Sequence, residues 1–137
     1  MEIDYKIGLN IDSEQLDILF EKVGWRKRGN IKWKEVLAKS YLGVSAWDND
    51  KLVGFGRITE DGVMCMFYDI GILPDYQGKG IGSAIMKILI DKVKDKEYAS
   101  IGLFAWEENP INFPFYEKFG FEKVKSGMEL VKFMKRE

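Results

Sequence analysis

Near the middle of the chain, residues 72–83 read Ile72-Leu73-Pro74-Asp75-Tyr76-Gln77-Gly78-Lys79-Gly80-Ile81-Gly82-Ser83. An apolar stretch stops at the proline, passes three glycines and continues into a helical pattern. Glycines at the junction of a strand and a helix leave backbone N–H groups uncovered, with the positive end of the helix dipole behind them. The stretch therefore predicts a strand, an anion-binding loop and a helix. The alternative is a turn that serves only tight strand-to-helix packing.

Two better-known phosphate-binding loops do not match this stretch. The P-loop requires Ser or Thr directly after its Gly-Lys pair, but Gly80 follows Lys79. The dinucleotide-binding fingerprint spaces its glycines as G-x-G-x-x-G, whereas Gly78, Gly80 and Gly82 are spaced as G-x-G-x-G. Together with Gln77, these residues follow the pattern Q-x-x-G-x-G. That pattern resembles the signature of the GNAT superfamily of acetyl-CoA-dependent N-acetyltransferases, in which the loop wraps the coenzyme A pyrophosphate.

A second segment resembles the other hallmark of the same superfamily. It reads Asn109-Pro110-Ile111-Asn112-Phe113-Pro114-Phe115-Tyr116-Glu117-Lys118-Phe119-Gly120-Phe121. The superfamily places an Asn seven residues before the Tyr of a Tyr-Glu-Lys-x-Gly-Phe ending, and this ending is similar to that of arylalkylamine N-acetyltransferases. Two separate motifs in the expected order are harder to obtain by chance than one. They cover roughly the C-terminal half of the chain.

Composition excludes several other classes of protein. The chain has 137 residues, is 46% hydrophobic and carries a net charge of -1, so one domain over residues 1–137 with neither nucleic acid nor a membrane as partner is expected. The short basic run Arg26–Arg28 is interpreted as a solvated loop. With Cys65 as its sole cysteine and no histidine, the sequence predicts no internal disulfide, no metal site and no Cys-His nucleophile. No signal-peptide or membrane-span pattern is present, so a cytoplasmic location is expected.

Hydrophobic periodicity predicts an α/β fold. Strands are expected over residues 3–7, 42–47, 52–58, 63–73, 99–106 and 121–133, the last with a break at Ser126-Gly127. Helices are expected from Asp12 or Ser13 to Gly24, over residues 32–40, after the glycine loop from Ile81 to Val93, and over residues 110–119. The order predicts a mixed central sheet flanked by helices, in which an antiparallel meander precedes a parallel βαβ unit. The GNAT resemblance implies the same sheet.

The resemblance also implies how acetyl-CoA would be bound. The backbone of Ile70, Gly71 and Ile72 would pair with the pantetheine arm, and Asn109 would hydrogen-bond to it. The pyrophosphate would be held by the loop residues Gln77, Gly78, Lys79, Gly80, Ile81, Gly82 and Ser83. For each of these residues a purely structural role remains open, since the isoleucines suit any buried strand and Asn109 suits a turn.

The catalytic acid has one strong candidate, whereas the base has none. By resemblance Tyr116 would protonate the departing thiolate, and a phenol is protonated at neutral pH. Its alternative role is core packing beside neighbouring phenylalanines. Met66 and Tyr68 stand at positions where relatives carry a base, and neither can serve. Strand alternation turns Asp69 to the opposite face unless a bulge intervenes. The candidates that stay open are Asp69, Glu107, Glu108 and water, and the other alternative is an amine that arrives already neutral.

The sequence indicates only the chemical class of the acetyl acceptor. The leading hypothesis is a primary amine of a small molecule that attacks acetyl-CoA directly in a ternary complex. A protein N-terminus or lysine as acceptor, and a non-catalytic acyl-CoA sensor, are the alternatives. Trp25, Trp33 and Phe67 or Tyr68 are candidates for lining the acceptor site, with core packing as the other role for each. Because many family members are dimers, the resemblance also makes a homodimer a candidate state.

Overall fold

The computed structural model describes residues 2–125 and 127–135, and it is built on a five-stranded sheet. The strands are β1 (Asp4–Ile7), β2 (Leu42–Asp48), β3 (Lys51–Glu60), β4 (Met64–Ile72) and β5 (Ser100–Leu103). They lie side by side in chain order, antiparallel as far as β4, and β5 runs parallel to β4. The predicted mixed sheet is confirmed, and β1 adds a fourth antiparallel strand to the expected meander.

The helices are α1 (Ser13–Val23), α2 (Asn30–Lys39), α3 (Ile81–Val93) and α4 (Asn112–Glu117), with 3-10 turns at Pro74–Tyr76 and Val131–Phe133. Asp12 caps α1, because its carboxylate accepts a hydrogen bond from the N–H of Glu14 at 3.1 Å. The helix ends at Gly24, whose left-handed φ of 111° suits glycine. Thus α1 and α3 have the predicted bounds, whereas α2 begins at Asn30 rather than at residue 32.

Adjacent residues of β3 face opposite sides of the sheet, as the pleat requires. A Cβ added to Gly54 would lie 3.1 Å from Ile85 of α3. The next residue, Phe55, packs edge-on against Phe20 of α1 and Trp33 of α2, with ring centroids 6.4 and 6.3 Å apart. Therefore α1 and α2 cover one face of the sheet and α3 covers the other. Both layers bury apolar side chains, which is the main favourable contribution to folding.

Contacts divide the chain into two compact units, Met1–Phe104 and Ala105–Glu137. The first unit holds the sheet with α1, α2 and α3, and the second holds α4 and the C-terminal residues. Within residues 2–125 and 127–135, no helix combines the length and apolar character needed to cross a membrane.

The predicted closing strand over residues 121–133 is wrong. Residues 121–125 and 127–130 form no regular element, and Val131–Phe133 is a 3-10 turn. Ser126, half of the expected break, lies outside the described residues. The apolar side chains of Val124 and Leu130 are 82% and 70% exposed. Alternating hydrophobicity makes a strand only where a neighbouring strand and a buried face are available, and these residues bury little. Strand β5 is likewise shorter than predicted, Ser100–Leu103 in place of 99–106.

A bulge interrupts β4 just before its C-terminal end. Arg57 of β3 is paired with Tyr68, and Phe55 is paired with Gly71, so the single residue between them on β3 faces two residues on β4. One of those two, Asp69, has a φ of 54°, which is uncommon for a residue other than glycine. The bulge that the sequence analysis left open is therefore present. It allows Tyr68 and Asp69 to contact the same side chain, Arg57.

The bulge is fixed by a cluster of three charged side chains, Asp69, Arg28 and Arg57. The carboxylate of Asp69 accepts two hydrogen bonds from Arg28, at 2.8 and 2.9 Å, and one from Nε of Arg57 at 2.6 Å. Its side chain is only 5% exposed. Burial alone would raise the pKa of Asp69, but the hydrogen bonds and positive charges of the two arginines outweigh burial and lower it. Asp69 therefore remains ionised near neutral pH.

Removing the carboxylate should destabilise the fold. Asp69→Ala leaves two partly buried guanidinium groups without their shared partner, and we expect the free energy of unfolding to fall by about 3 kcal/mol. Denaturant unfolding at neutral pH measures the loss. Glu35→Ala is the matched control, because it also removes a carboxylate that bridges two cations, but at an exposed site, and it should change stability little.

The stabilisation by Asp69 should depend on pH. Because its folded-state pKa is lowered, its contribution is fully present above the ordinary aspartate value of about 3.9 and is lost as pH falls through the lowered pKa. The stability difference between wild type and Asp69→Ala should therefore shrink in acid. A difference that stays constant down to the lowest pH at which both proteins fold would contradict this account of the cluster.

Candidate active site

Strands β3 and β5 lie on either side of β4 and pair with it over different lengths. Pairing with β5 runs from Met64 to Phe67 and stops there, whereas pairing with β3 continues to Ile72. On the β5 side, residues 68–72 therefore have no strand partner among the described residues. A free strand edge can accept an extended ligand that carries amide groups, by the same hydrogen bonds that join strands.

The side chains along this free edge are used for packing. Ile72 and Ile70 lie over Gly54 and Gly56 of β3, where an added Cβ would meet them at 2.8 and 2.7 Å. Gly71 faces the opposite layer, and a Cβ there would overlap the ring of Phe20. What this edge can offer a ligand is therefore its backbone. The sequence prediction that Ile70, Gly71 and Ile72 act through their backbone agrees with this packing.

The glycine loop follows the free edge directly and is held by three hydrogen bonds. The amide of Gln77 donates from Nε2 to the carbonyl of Ile72 at 3.0 Å, and its backbone N–H donates to Pro74 at 3.2 Å. The hydroxyl of Tyr76 donates to Asp48 at 2.5 Å. These bonds tie the loop to the end of β4 and to Asp48, the last residue of β2.

The glycines of the loop adopt a backbone that other residues rarely adopt. Gly78 and Gly80 have φ values of 76° and 84°, in the left-handed region. A Cβ added to either would meet nothing within 4 Å, so the space beside them is open. Lys79 between them is exposed. Packing therefore does not require these glycines, which argues against the alternative of a turn that serves packing only.

Helix α3 begins at this loop without a side-chain cap. Its N-cap residue is Gly80, and the first helical hydrogen bond runs from Ala84 to Gly80 at 3.0 Å. The backbone N–H groups of this first turn precede that bond, and at the start of a helix such groups point out of the helix toward the preceding loop. Together with the helix dipole they form an environment suited to a phosphate or another anion.

The second motif lies in the C-terminal unit, where Asn109 forms a turn. Its side-chain oxygen accepts a hydrogen bond from the N–H of Ile111 at 3.1 Å, and its carbonyl accepts one from Asn112, also at 3.1 Å. The turn role considered from the sequence is therefore present, and one end of the carboxamide is used for it. The assignment of Asn109 to pantetheine stays a prediction.

Tyr116 lies on α4 among aromatic rings. Its ring packs edge-on against Phe115 and Phe121, with centroids 5.0 and 6.1 Å apart. Burial raises the pKa of the Tyr116 phenol to about 12. The phenol is thus a hydrogen-bond donor at any physiological pH, and its assignment as catalytic acid stays a prediction.

The candidate bases are engaged elsewhere or exposed. The carboxylate of Asp69 is held ionised by Arg28 and Arg57, which makes it a poor proton acceptor. Glu107 is paired with Lys123 at 2.7 Å on the surface of the C-terminal unit. Glu108 is exposed. Water is therefore favoured among the candidate bases that the sequence left open.

Two expectations about individual residues need correction. Arg28 was grouped with a solvated loop, but its guanidinium binds Asp69 and lies 4.5 Å from the centre of the Trp33 ring. Trp33 and Phe67 were candidates for lining the acceptor site, and at 0% and 2% exposed they belong to the core. Trp25 is 41% exposed and stacks on Phe20.

Sequence reasoning missed the role of Arg57. The only signal was its position, since a charged residue inside the apolar strand pattern of residues 52–58 requires a partner. The sequence around Arg57 does not identify that partner, because strand pairing and the bulge of β4 bring Asp69 close to Arg57.

Comparisons with known proteins agree with this geometry. The model of the acetyltransferase (GNAT) family matches residues 10–121. An uncharacterized N-acetyltransferase, ycf52, from Pyropia yezoensis is 38% identical over 125 residues, which cover 88% of this chain and 70% of that protein. Both matches include the glycine loop.

Solved structures share the fold. A GNAT-family acetyltransferase from Streptococcus pneumoniae TIGR4 has a TM-score of 0.80 and 32% sequence identity, and the match covers 99% of this chain and 100% of that one. AAC(6')-Iy, solved in complex with the bisubstrate analogue CoA-S-monomethyl-acetylneamine, has a TM-score of 0.75 at 15% identity, with 99% of each chain covered. The second likeness concerns the fold alone. The mixed sheet, the uncapped glycine loop and the family match together establish that this chain belongs to the GNAT family of acetyltransferases.

Proposed function

We propose that this protein transfers the acetyl group of acetyl-CoA to the primary amine of a small molecule, by direct attack within a ternary complex. The observation that carries the proposal is the continuity of two features. The free edge of β4 ends at Ile72, and the anion-binding loop begins directly after it. An extended amide-bearing arm joined to a pyrophosphate matches that order of sites.

The residues present fit coenzyme A. Ile70, Gly71 and Ile72 would pair through their backbone with the amides of the pantetheine arm. The loop residues Gln77 to Ser83 would surround the pyrophosphate with N–H groups, and Lys79 would add positive charge. The bisubstrate analogue bound to AAC(6')-Iy supports a CoA-derived ligand on this fold.

The reaction needs an uncharged amine, a donor for the oxyanion and a proton for the thiolate. The amine nitrogen forms a bond to the acetyl carbon, and the bond from carbon to sulfur breaks. A backbone N–H of the free β4 edge would stabilise the tetrahedral oxyanion. Tyr116 would donate its proton to sulfur as that bond breaks, because complete transfer beforehand from a phenol of pKa about 12 is unfavourable. Water takes the proton that the amine releases and returns a proton to the Tyr116 phenolate, so the overall transfer releases no net proton.

The direct test of the proposal is turnover. Purified protein, acetyl-CoA and a panel of small amines and lysine-containing peptides should release free thiol, and mass spectrometry should find the acetylated amine. Thiol release with peptides alone would shift the proposal to a protein acetyltransferase. No release with any member of the panel, despite tight binding of CoA, would leave the acyl-CoA sensor as the function.

A charge placed in the loop should abolish binding of the co-substrate. Gly80→Glu introduces a carboxylate where the pyrophosphate is expected, and we predict that calorimetry detects no acetyl-CoA binding. Gly62→Glu is the matched control, since Gly62 also has a positive φ, 91°, and open space around its Cα, but lies in the hairpin before β4. Both variants share the backbone strain. Equal loss of binding in both, or full binding in a folded Gly80→Glu protein, would contradict the loop assignment.

Competition should distinguish a CoA site from a general nucleotide site. Coenzyme A and acetyl-CoA are expected to bind, whereas ATP and NAD should compete poorly because they lack the arm that pairs with the β4 edge. Displacement of a fluorescent CoA derivative measures this. If ATP displaced the probe as well as CoA does, the free edge would have no part in binding.

Tyr116→Phe removes the proposed proton donor and keeps the ring. We expect kcat to fall by about ten- to a thousandfold while the KM for acetyl-CoA changes little. Because burial raises the pKa of Tyr116 to about 12, the wild-type pH–rate profile should show no alkaline limb from this group below about pH 10. Full turnover by Tyr116→Phe on an accepted amine would make water the proton source.

A further inference from the structure

The segment from Lys22 to Lys34 contains six basic residues and no acidic one, in a chain whose net charge is -1. It spans the end of α1, the connecting loop and the first turn of α2. Arg26 and Lys27, at the middle of the loop, are exposed and have no ion-pair partner among the described residues. We refer to residues 22–34 as the basic segment.

Two contacts place the basic segment beside the free edge of β4. Arg28 binds Asp69, the residue that directly precedes Ile70. Trp25 stacks on Phe20 with ring centroids 4.6 Å apart, and the Phe20 ring in turn covers Gly71. The loop is thus held against residues 69–71, where the acetyl group is expected to lie.

The backbone of the loop is anchored by a buried carboxylate. The carboxylate of Asp17 is buried and accepts hydrogen bonds from the backbone N–H groups of Arg28 and Gly29, at 2.9 to 3.3 Å. Gly24 and Gly29 supply the positive φ values that the loop needs at its two ends. Arg26 and Lys27 are therefore carried on an anchored backbone, and their exposed cations add positive potential to this part of the surface.

A positive field at this place has two consequences for an amine. It repels an acceptor whose only charge is its ammonium group, and it attracts an acceptor that also carries an anionic group. It also lowers the pKa of a bound ammonium, because nearby like charges disfavour the protonated form. The second effect favours the neutral form of the amine, which is the form that attacks the acetyl carbon.

Building on the proposed function, we infer that the acceptor is an amine that also bears a carboxylate, which the basic segment recognises through Arg26 and Lys27. Polyamines and simple alkylamines are disfavoured substrates. The anionic group can belong to a small amino carboxylate or to an acidic peptide, and the two sources share this chemistry.

The test compares acceptors that differ only in charge. Para-(aminoethyl)benzoate and para-(aminoethyl)benzamide form one pair, and a lysine peptide flanked by glutamates or by glutamines forms the other. We expect kcat/KM to favour the charged member about tenfold at an ionic strength of about 0.01 M, and the preference to disappear near 1 M, where the screening length is only about 3 Å. Whichever pair of acceptors is acetylated shows whether the anionic group belongs to a small molecule or to a peptide.

The double variant Arg26→Gln/Lys27→Gln should reduce the ratio of the two kcat/KM values at least about fivefold at low salt. Lys92→Gln/Lys96→Gln is the matched control, because it removes the same charge from exposed positions at the far end of α3, and it should leave the ratio unchanged. Equal use of both members of each pair, or equal effects of the two double variants, would overturn the inference and leave acetyl transfer intact. Absence of thiol release with every amine would instead overturn the proposed function.

Discussion

The carboxylate of Asp69 is the interaction on which the rest of the site depends. It binds Arg57 of β3 and Arg28 of the loop between α1 and α2, and its own backbone forms the bulge of β4. One buried anion thus joins the strand that offers its edge, the strand that supports it and the loop that covers it. Because charges this poorly exposed are stable only when paired, the three segments hold their relative positions together.

A carboxylate beside such a site can serve as a structural anion or as a base, and the cluster gives Asp69 the structural role. An aspartate held ionised by two arginines stays in place but is a poor proton acceptor. Under the proposed function, the remaining polar chemistry would fall to backbone N–H groups and water, with Tyr116 as the predicted proton donor. Positioning and hydrogen-bond donation would then be sufficient, because a thioester is already activated.

The sequence predicted the parts of the fold that depend on local pattern. The antiparallel meander followed by a parallel strand, α1 and α3 all follow from periodicity and from the right-handed crossover rule. Two features could not be predicted, because each depends on partners distant in sequence. Arg28 was assigned to a solvated loop because its partner Asp69 lies 41 residues further along the chain, and residues 121–133 contain apolar residues that suggested a strand but bury little surface. The roles of Asn109 and Tyr116 still come from resemblance, since their local contacts suit a turn and an aromatic cluster equally well.

The central claim is that the edge of β4 beyond Phe67 receives the pantetheine arm. Amide hydrogen exchange tests it most directly, since pairing with a ligand slows exchange of the strand amides that face it. Saturating coenzyme A should slow exchange at Ile70 and Ile72, whose N–H groups point away from β3, and in the loop up to Ser83, and leave the opposite edge strand, Asp4–Ile7, unchanged. Unaltered exchange at Ile70 and Ile72 in protein that calorimetry shows to be saturated would contradict the account.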